Sequence, residues 1–273
     1  MESLSQEYKL AMQKQGLLAL VKQKEPKFTD TWFPYTSGQI GPYYVQSVVV
    51  ENDGKDYAEA VESICRIIRA EVGVTEFDAI GGGESRDWDF SNPVAVALKK
   101  PHIKVYKDGK ILGSTDVKGK RVVWVADLNN EGSSIGKKWY PTINENDGKI
   151  VYTCFYVDRR EDGVKMMDEL EIPNDSVVPL DENAWKMLMD IGYIDQSLYG
   201  SLCERLKDKG AWAKNMLRTD AGLEKFWELF SDPKTVAKAR NVLINGYPDM
   251  QEEIADRLSK RFKKITVKEL LEG

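Results

Sequence analysis

The stretch Arg121-Val-Val-Trp-Val-Ala126-Asp127-Leu-Asn-Asn130-Glu131-Gly132-Ser133-Ser134 decides how the chain is read. Its first half is almost wholly apolar, as expected of a strand covered on both faces in a parallel sheet. That strand hands Asp127 to its carboxyl end, and a turn of small residues follows at once. The first backbone N–H groups of a helix have no partner within it. Together with the hydroxyls of Ser133 and Ser134, such groups can cradle a phosphate. Asp127 is then placed for sugar hydroxyls or a metal. The plainer alternative is an ordinary helix cap, since an acid and a Gly-Ser turn after a strand are common.

Working outward, segments of strand and helix period alternate up to about residue 180. Leu4, Tyr8, Met12 and Leu17 predict a leading helix. Tyr43 to Val50 reads as a β-branched and aromatic strand ended by Asn52-Asp53-Gly54, and Tyr57, Val61, Ile64, Cys65 and Ile68 form one apolar helix face. Phe77 to Ile80 and Ile103 to Tyr106 are short strands that stop at Gly81-Gly82-Gly83 and Asp108-Gly109. Ile150 to Val157 is another apolar strand, and Ser133 to about Asn146 a helix. The pattern predicts an α/β domain over residues 1–180, a mostly parallel sheet flanked by helices.

Beyond Leu180 the spacing is helical. Asp181 caps a helix bearing Trp185, Leu188 and Met189; Leu198, Leu202 and Leu206 mark a second. Leu223, Phe226, Trp227 and Phe230 mark a third, Asp232-Pro233 starts a fourth that ends near Gly246, and Ile254, Leu258 and Phe262 mark a fifth. Residues 181–273 are therefore expected to form an all-helical C-terminal extension that either encloses its own core or docks on the first domain. Trp185, Trp212 and Trp227 fall on these stripes and read as core.

Composition narrows the chemistry. With 273 residues, 42% hydrophobic and 30% charged, the chain is a folded protein and not a disordered one. No apolar run approaches the roughly 20 residues of a membrane span, and residues 1 to 25 lack the pattern of a secretory signal, so a cytoplasmic protein is expected. Three scattered cysteines, Cys65, Cys154 and Cys203, build neither a disulfide framework nor a C-x-x-C knuckle. The single histidine, His102, lies before an apolar strand and reads as structural, which argues against hydrolytic triads and zinc chemistry. Catalysis is left to lysine, arginine, carboxylates, backbone amides and a hard metal. A net charge of -5 argues against broad nucleic-acid binding.

Val122 to Ser134 resembles the diphosphate-sugar motif of the type I phosphoribosyltransferases, and among them the orotate phosphoribosyltransferases. The likeness runs over roughly residues 28 to 172. Asp127, Gly132 and Ser133 are in place, while Ala126 stands where the family usually has a second acid for the ribose hydroxyls. Phe33-Pro-Tyr-Thr-Ser37-Gly38-Gln-Ile-Gly-Pro42-Tyr43-Tyr44 resembles the amino-terminal segment that packs on the base; by itself it is a turn with an aromatic edge strand. Val157-Asp158-Arg159 resembles the Asp-Arg pair whose arginine reaches the carboxylate of orotate, a job that suits the guanidinium fork. Taken alone, Arg159 is a surface ion pair.

Tyr106-Lys107-Asp108-Gly109-Lys110-Ile-Leu112-Gly113 aligns with the family's mobile catalytic loop, retaining both lysines and replacing its arginine and histidine by Tyr106 and Leu112. Asp-Gly is equally a tight-hairpin signal with solvated lysines. Gly81-Gly82-Gly83-Glu84-Ser85-Arg86-Asp87 occupies the pyrophosphate-loop position, where glycines let amides approach an anion and Arg86 pairs with it, although Glu84 and Asp87 would repel it. An acidic surface loop is the alternative.

The resemblance thus implies transfer of phosphoribosyl from phosphoribosyl diphosphate to orotate or a related base. Lys110 and Asp127 would be catalytic. Arg86, Lys107, Asp127, Asn130, Glu131, Gly132, Ser133 and Ser134 would hold the diphosphate sugar, and Tyr43, Tyr44 and Arg159 the base. Mg2+ would arrive with the diphosphate, and a homodimer is implied. The alternative is a non-catalytic protein of the same fold that binds a nucleotide or the diphosphate sugar as a signal, which Ala126, Leu112, Tyr106 and Glu84 favour.

Overall fold

The computed structural model describes residues 3–112 and 116–272. The chain opens with α1 (Gln6–Lys22), the antiparallel hairpin β1 (Lys27–Pro34) and β2 (Ile40–Tyr44), and α2 (Gly54–Ile67). Next come β3 (Ala79–Gly83), α3 (Asp87–Ala97), β4 (His102–Val105), β5 (Ile111–Leu112), β6 (Arg121–Asn129) and α4 (Tyr140–Glu145). Then follow β7 (Lys149–Asp158), α5 (Asp162–Glu169), β8 (Asn174–Pro179) and α6 (Glu182–Asp190). Six helices complete the chain: α7 (Gln196–Lys207), α8 (Lys209–Arg218), α9 (Asp220–Ser231), α10 (Val236–Asn241), α11 (Gln251–Arg261) and α12 (Val267–Leu271).

The first compact unit comprises residues 1–25 and 46–193. Its sheet has the order β5-β4-β3-β6-β7-β8, parallel except for the edge strand β5. The chain runs from β3 to β4 on one side and then returns to β6 on the other. Strand order therefore reverses between β3 and β6, and in open α/β sheets the crevice beyond the carboxyl ends at that point is where ligands bind. β6 and β7 carry the apolar runs read from the sequence, and nearly every residue in them is buried.

Two local readings change. Tyr43–Val50 is not one strand, because β2 ends at Tyr44 and Ser47–Asn52 forms a 3-10 turn whose neighbour Asp53 caps α2 through the Lys55 and Asp56 amides. The valines favour a strand, but burying Val50 and directing the Ser47 hydroxyl to Asp127 requires the turn. The three glycines are likewise inside β3 and not in a loop after it, paired with β4 as far as Gly83 opposite Val105. Their missing side chains are filled by neighbours. A Cβ on Gly81 would lie 2.8 Å from the Trp124 ring and one on Gly83 2.3 Å from that of Trp139. These two indoles stack with centroids 6.1 Å apart.

Pro93 lies inside α3 and has no N–H for the carbonyl of Asp89, four residues earlier. That carbonyl accepts instead from the Tyr57 hydroxyl of α2, so the defect becomes a link between two helices.

The second unit comprises residues 26–45 and 194–273. This division departs from a cut at residue 180: α6 goes with the sheet, and the β1–β2 hairpin goes with the helices. The reason is a shared core. Trp32 and Ile40 of the hairpin are buried with Trp212, Phe226, Leu243, Ile254 and Leu258. Burying Trp32 removes about 200 Å² from water, worth about 5 kcal/mol at the usual 25 cal/mol per Å². Polar bonds fix the register: Trp32 Nε1 donates to the Gly222 carbonyl at 3.1 Å, Arg205 Nη1 to that of Ile40 at 2.9 Å, and Asn241 Nδ2 to that of Thr36 at 3.1 Å. The helices thus enclose a core of their own, the first of the two alternatives, with the hairpin as part of it.

Candidate active site

The carboxyl ends of β3 and β6 open into a cavity of about 520 Å³. Its wall includes Glu84 to Asp87 after β3, Lys107 of the β4–β5 hairpin, Ala126 to Ser134, and the aromatic floor of Trp124, Trp139 and Phe155. Six of the residues proposed from sequence for the diphosphate sugar come together here besides Asp127 and Ser134: Arg86, Lys107, Asn130, Glu131, Gly132 and Ser133.

Asp127 is buried, and its Oδ2 accepts from the Ser47 hydroxyl at 2.6 Å. The turn after β6 is held from below by α5, where the Gly163 amide donates to the Asn130 carbonyl at 2.9 Å. Gly132 adopts φ +65°, and the Gly136 amide donates back to its carbonyl at 2.8 Å to start the following helix. The turn is therefore a rigid ledge and not a loose loop.

A second carboxyl meets Asp127. Asp87, the first residue of α3, accepts from the Gly83 amide at 3.0 Å through Oδ2 and from the Asp127 amide at 3.3 Å through Oδ1. Burial, and after it the neighbouring Asp127, holds the Asp87 carboxyl well above the usual carboxylate range. Burial followed by the same Asp127 charge also raises Asp89. Nothing in the local sequence signals this pairing, since Asp87 and Asp127 lie forty positions apart; Ser47 and Trp139 escape sequence reasoning for the same reason.

Of the two loop lysines, Lys107 lines the cavity, and its amide donates to Glu84 Oε2 at 2.9 Å. Lys110 is exposed on the far side of a tight turn: its carbonyl accepts from the Tyr106 amide at 2.8 Å, and its amide donates to Asp108 at 3.0 Å. The hairpin signal of Asp108-Gly109 is thus realised. Gly113, the last residue of that motif, lies outside the described residues. Arg159 is buried at 4% exposure, with Nη2 on Glu161 at 2.9 Å. Tyr43 and Tyr44 belong to the second unit, where Tyr43 is buried against Phe28 and Tyr44 is exposed.

His102 has the structural part expected of it. Its Nε2 lies 2.9 Å from the Ser91 hydroxyl, and burial, then the Lys104 charge, lowers its pKa to about 4. Because this lies below the unfolded value of about 6.5, the protein keeps the full contribution above pH ~6.5 and loses it as pH falls toward 4. The urea midpoint is expected to drop between pH 7 and pH 5 in the wild type and much less in His102→Gln.

A buried acid and a turn of small residues thus line one cavity at the switch point of a parallel sheet. The fold is that of the type I phosphoribosyltransferases: the solved orotate phosphoribosyltransferase of Aeropyrum pernix superposes with a TM-score of 0.56 over 65% of this chain and 99% of its own, at 21% identity. In sequence the chain is similar to the orotate phosphoribosyltransferase of Sulfurisphaera tokodaii, 29% identical over 156 residues, which are 55% of this chain and 77% of that protein. It is also similar to the adenine phosphoribosyltransferase of Agathobacter rectalis, 29% identical over 158 residues, 50% of this chain and 86% of that protein. No model of a known protein family matches the chain.

Proposed function

We propose that this chain is a phosphoribosyltransferase that moves the phosphoribosyl group of magnesium phosphoribosyl diphosphate to orotate or a related base. A ring nitrogen of the base forms the new bond to the anomeric carbon as the bond to the diphosphate oxygen breaks and pyrophosphate leaves. The observation that carries this reading is the convergence of Asp127 and the Asn130–Ser134 ledge in one cavity at the sheet's switch point.

Such a reaction passes through a cation-like sugar and needs positioning and charge stabilisation more than a covalent nucleophile. Asp127 holds the ribose and faces its developing positive charge. The amides and hydroxyls from Asn130 to Ser134, with Glu131 at the turn, take the 5′-phosphate. Arg86 and Lys107 meet the departing pyrophosphate, with Lys110 assigned to the same task by the resemblance. Arg159, Tyr43 and Tyr44 are assigned to the base on the same ground, and Arg159 must exchange Glu161 for a base carboxylate to serve.

Magnesium enters as part of the substrate. Among the described residues no three His, Cys, Asp or Glu side chains gather around a metal-sized space, and a magnesium ion bound with phosphates needs few protein ligands. A homodimer and a cytoplasmic setting belong to the same reading; no described helix is long and apolar enough to cross a membrane.

The test is pyrophosphate release from magnesium phosphoribosyl diphosphate with orotate, uracil, adenine and hypoxanthine. Release with orotate far above the others is the expected result. Binding of the diphosphate sugar without release on any base moves the protein to the signal-binding alternative.

A further inference from the structure

We propose that Asp87 is a sugar-binding residue: with Asp127 it forms a carboxylate pair, built from two chain segments, that recognises the vicinal hydroxyls of a ribose 5-phosphate group. This rests on the phosphoribosyl reading and deepens it, by naming the acid that does the work left undone at Ala126.

The geometry places Asp87 in the required position. Its two oxygens are pinned by the amides of Gly83 and Asp127, at 3.0 and 3.3 Å, so the carboxyl lies against the end of β6. Ala126, whose methyl group offers no acceptor, lines the same cavity. A carboxylate oxygen has two acceptor sites, so each Asp87 oxygen retains one after its amide is satisfied. Asp127 is fixed in turn by Ser47 at 2.6 Å on Oδ2. Two fixed acceptor groups side by side suit a cis-diol, which presents two O–H donors in a fixed relation. The phosphate ledge in the same cavity supplies the third point of recognition.

A purely structural role accounts for less. An acid in the first turn of α3 would serve the helix dipole equally well from its outer face. Asp87 instead points toward another acid. Among the described residues Asp87 has two amide donors and no ion pair, and its side chain meets that of Asp127, so two acids lie together uncompensated in the free protein. Uncompensated acids of this kind concentrate at ligand sites. A donor-rich ligand supplies what is missing.

The experiment measures calorimetric binding of ribose 5-phosphate, 2-deoxyribose 5-phosphate and magnesium phosphoribosyl diphosphate to the wild type, Asp87→Asn, Asp87→Ser and Asp87→Asn/Ala126→Asp. The wild type is expected to prefer ribose 5-phosphate to the deoxy sugar by about tenfold or more, since a site built for a hydroxyl rejects an analogue without it. Asp87→Asn and Asp87→Ser should each erase most of that preference, and restoring an acid at position 126 should return it. A structural role would weaken both sugars equally and leave the ratio intact, which would overturn the inference while leaving the phosphoribosyl reading in place. A wild type that binds none of the three compounds overturns both together.

Discussion

Asp127→Asn is expected to slow pyrophosphate release by about 10²- to 10³-fold, the range for removing one preorganised electrostatic group from a transition state. The substitution preserves shape. The Ser47 hydroxyl, now 2.6 Å from Oδ2, can donate to the amide oxygen of asparagine, so the side chain keeps its anchor. Under the proposed phosphoribosyl transfer, what disappears is one negative charge set to face a sugar that becomes positive only as the reaction proceeds. The loss should therefore appear more in kcat than in KM, as for an interaction made chiefly in the transition state.

The same variant has a second expected result of opposite sign. Asp87 titrates above its unfolded value in the native protein, because of burial and then the Asp127 charge. Such a group adds stability below the unfolded value of about 3.9 and loses it as pH rises through its folded value, so at neutral pH the pair is a burden. Removing the Asp127 charge relieves part of it. Asp127→Asn should then melt about 2–4 °C higher at pH 7, the shift for roughly 1 kcal/mol in a chain of this size, with the gain fading near pH 4. Lower activity in a more stable protein excludes misfolding as the cause.

How far the sequence disclosed this site depended on the range of the interactions. β6 was legible because a strand covered on both faces is a continuous apolar run, and Asp127 with the Gly132-Ser133-Ser134 turn follows it directly. Asp181 was legible as a cap, and it accepts from the Ala184 amide as expected. Short-range signals failed where a distant partner decided. Gly81-Gly82-Gly83 resembles a loop until Trp124 and Trp139 are seen to occupy the space above the strand. Val48 and Val49 favour a strand, yet the segment turns. The hairpin of Trp32 and Ile40 goes with helices that begin more than 150 positions later, because their apolar faces have a common core. α8 and α12 are not among the five helices read from the spacing, although Trp212 of α8 is read onto a helical stripe and into the core, where it lies.

The largest structural effect is expected at Gly132, where two independent penalties coincide. Its φ of +65° is left-handed, which costs an L-residue about 1–2 kcal/mol. A Cβ there would also lie 2.7 Å from Cβ of Met166 and 3.3 Å from Cα of Gly163. Met166 is flexible only beyond its Cβ, so the contact cannot be relieved by a rotamer change and adds an overpacking cost of about 1–3 kcal/mol. Gly132→Ala should therefore lower the melting temperature by roughly 5–15 °C. Because the turn must lift off α5 to admit the methyl group, KM for phosphoribosyl diphosphate should rise by about tenfold or more. Gly132→Ala/Met166→Ala separates the two causes: it removes the outer part of the crowding but leaves the backbone conformation and the Cβ contact. It should recover little stability, whereas substantial recovery would show that the α5 side chain, and not the left-handed turn, sets the requirement for glycine in the turn after β6.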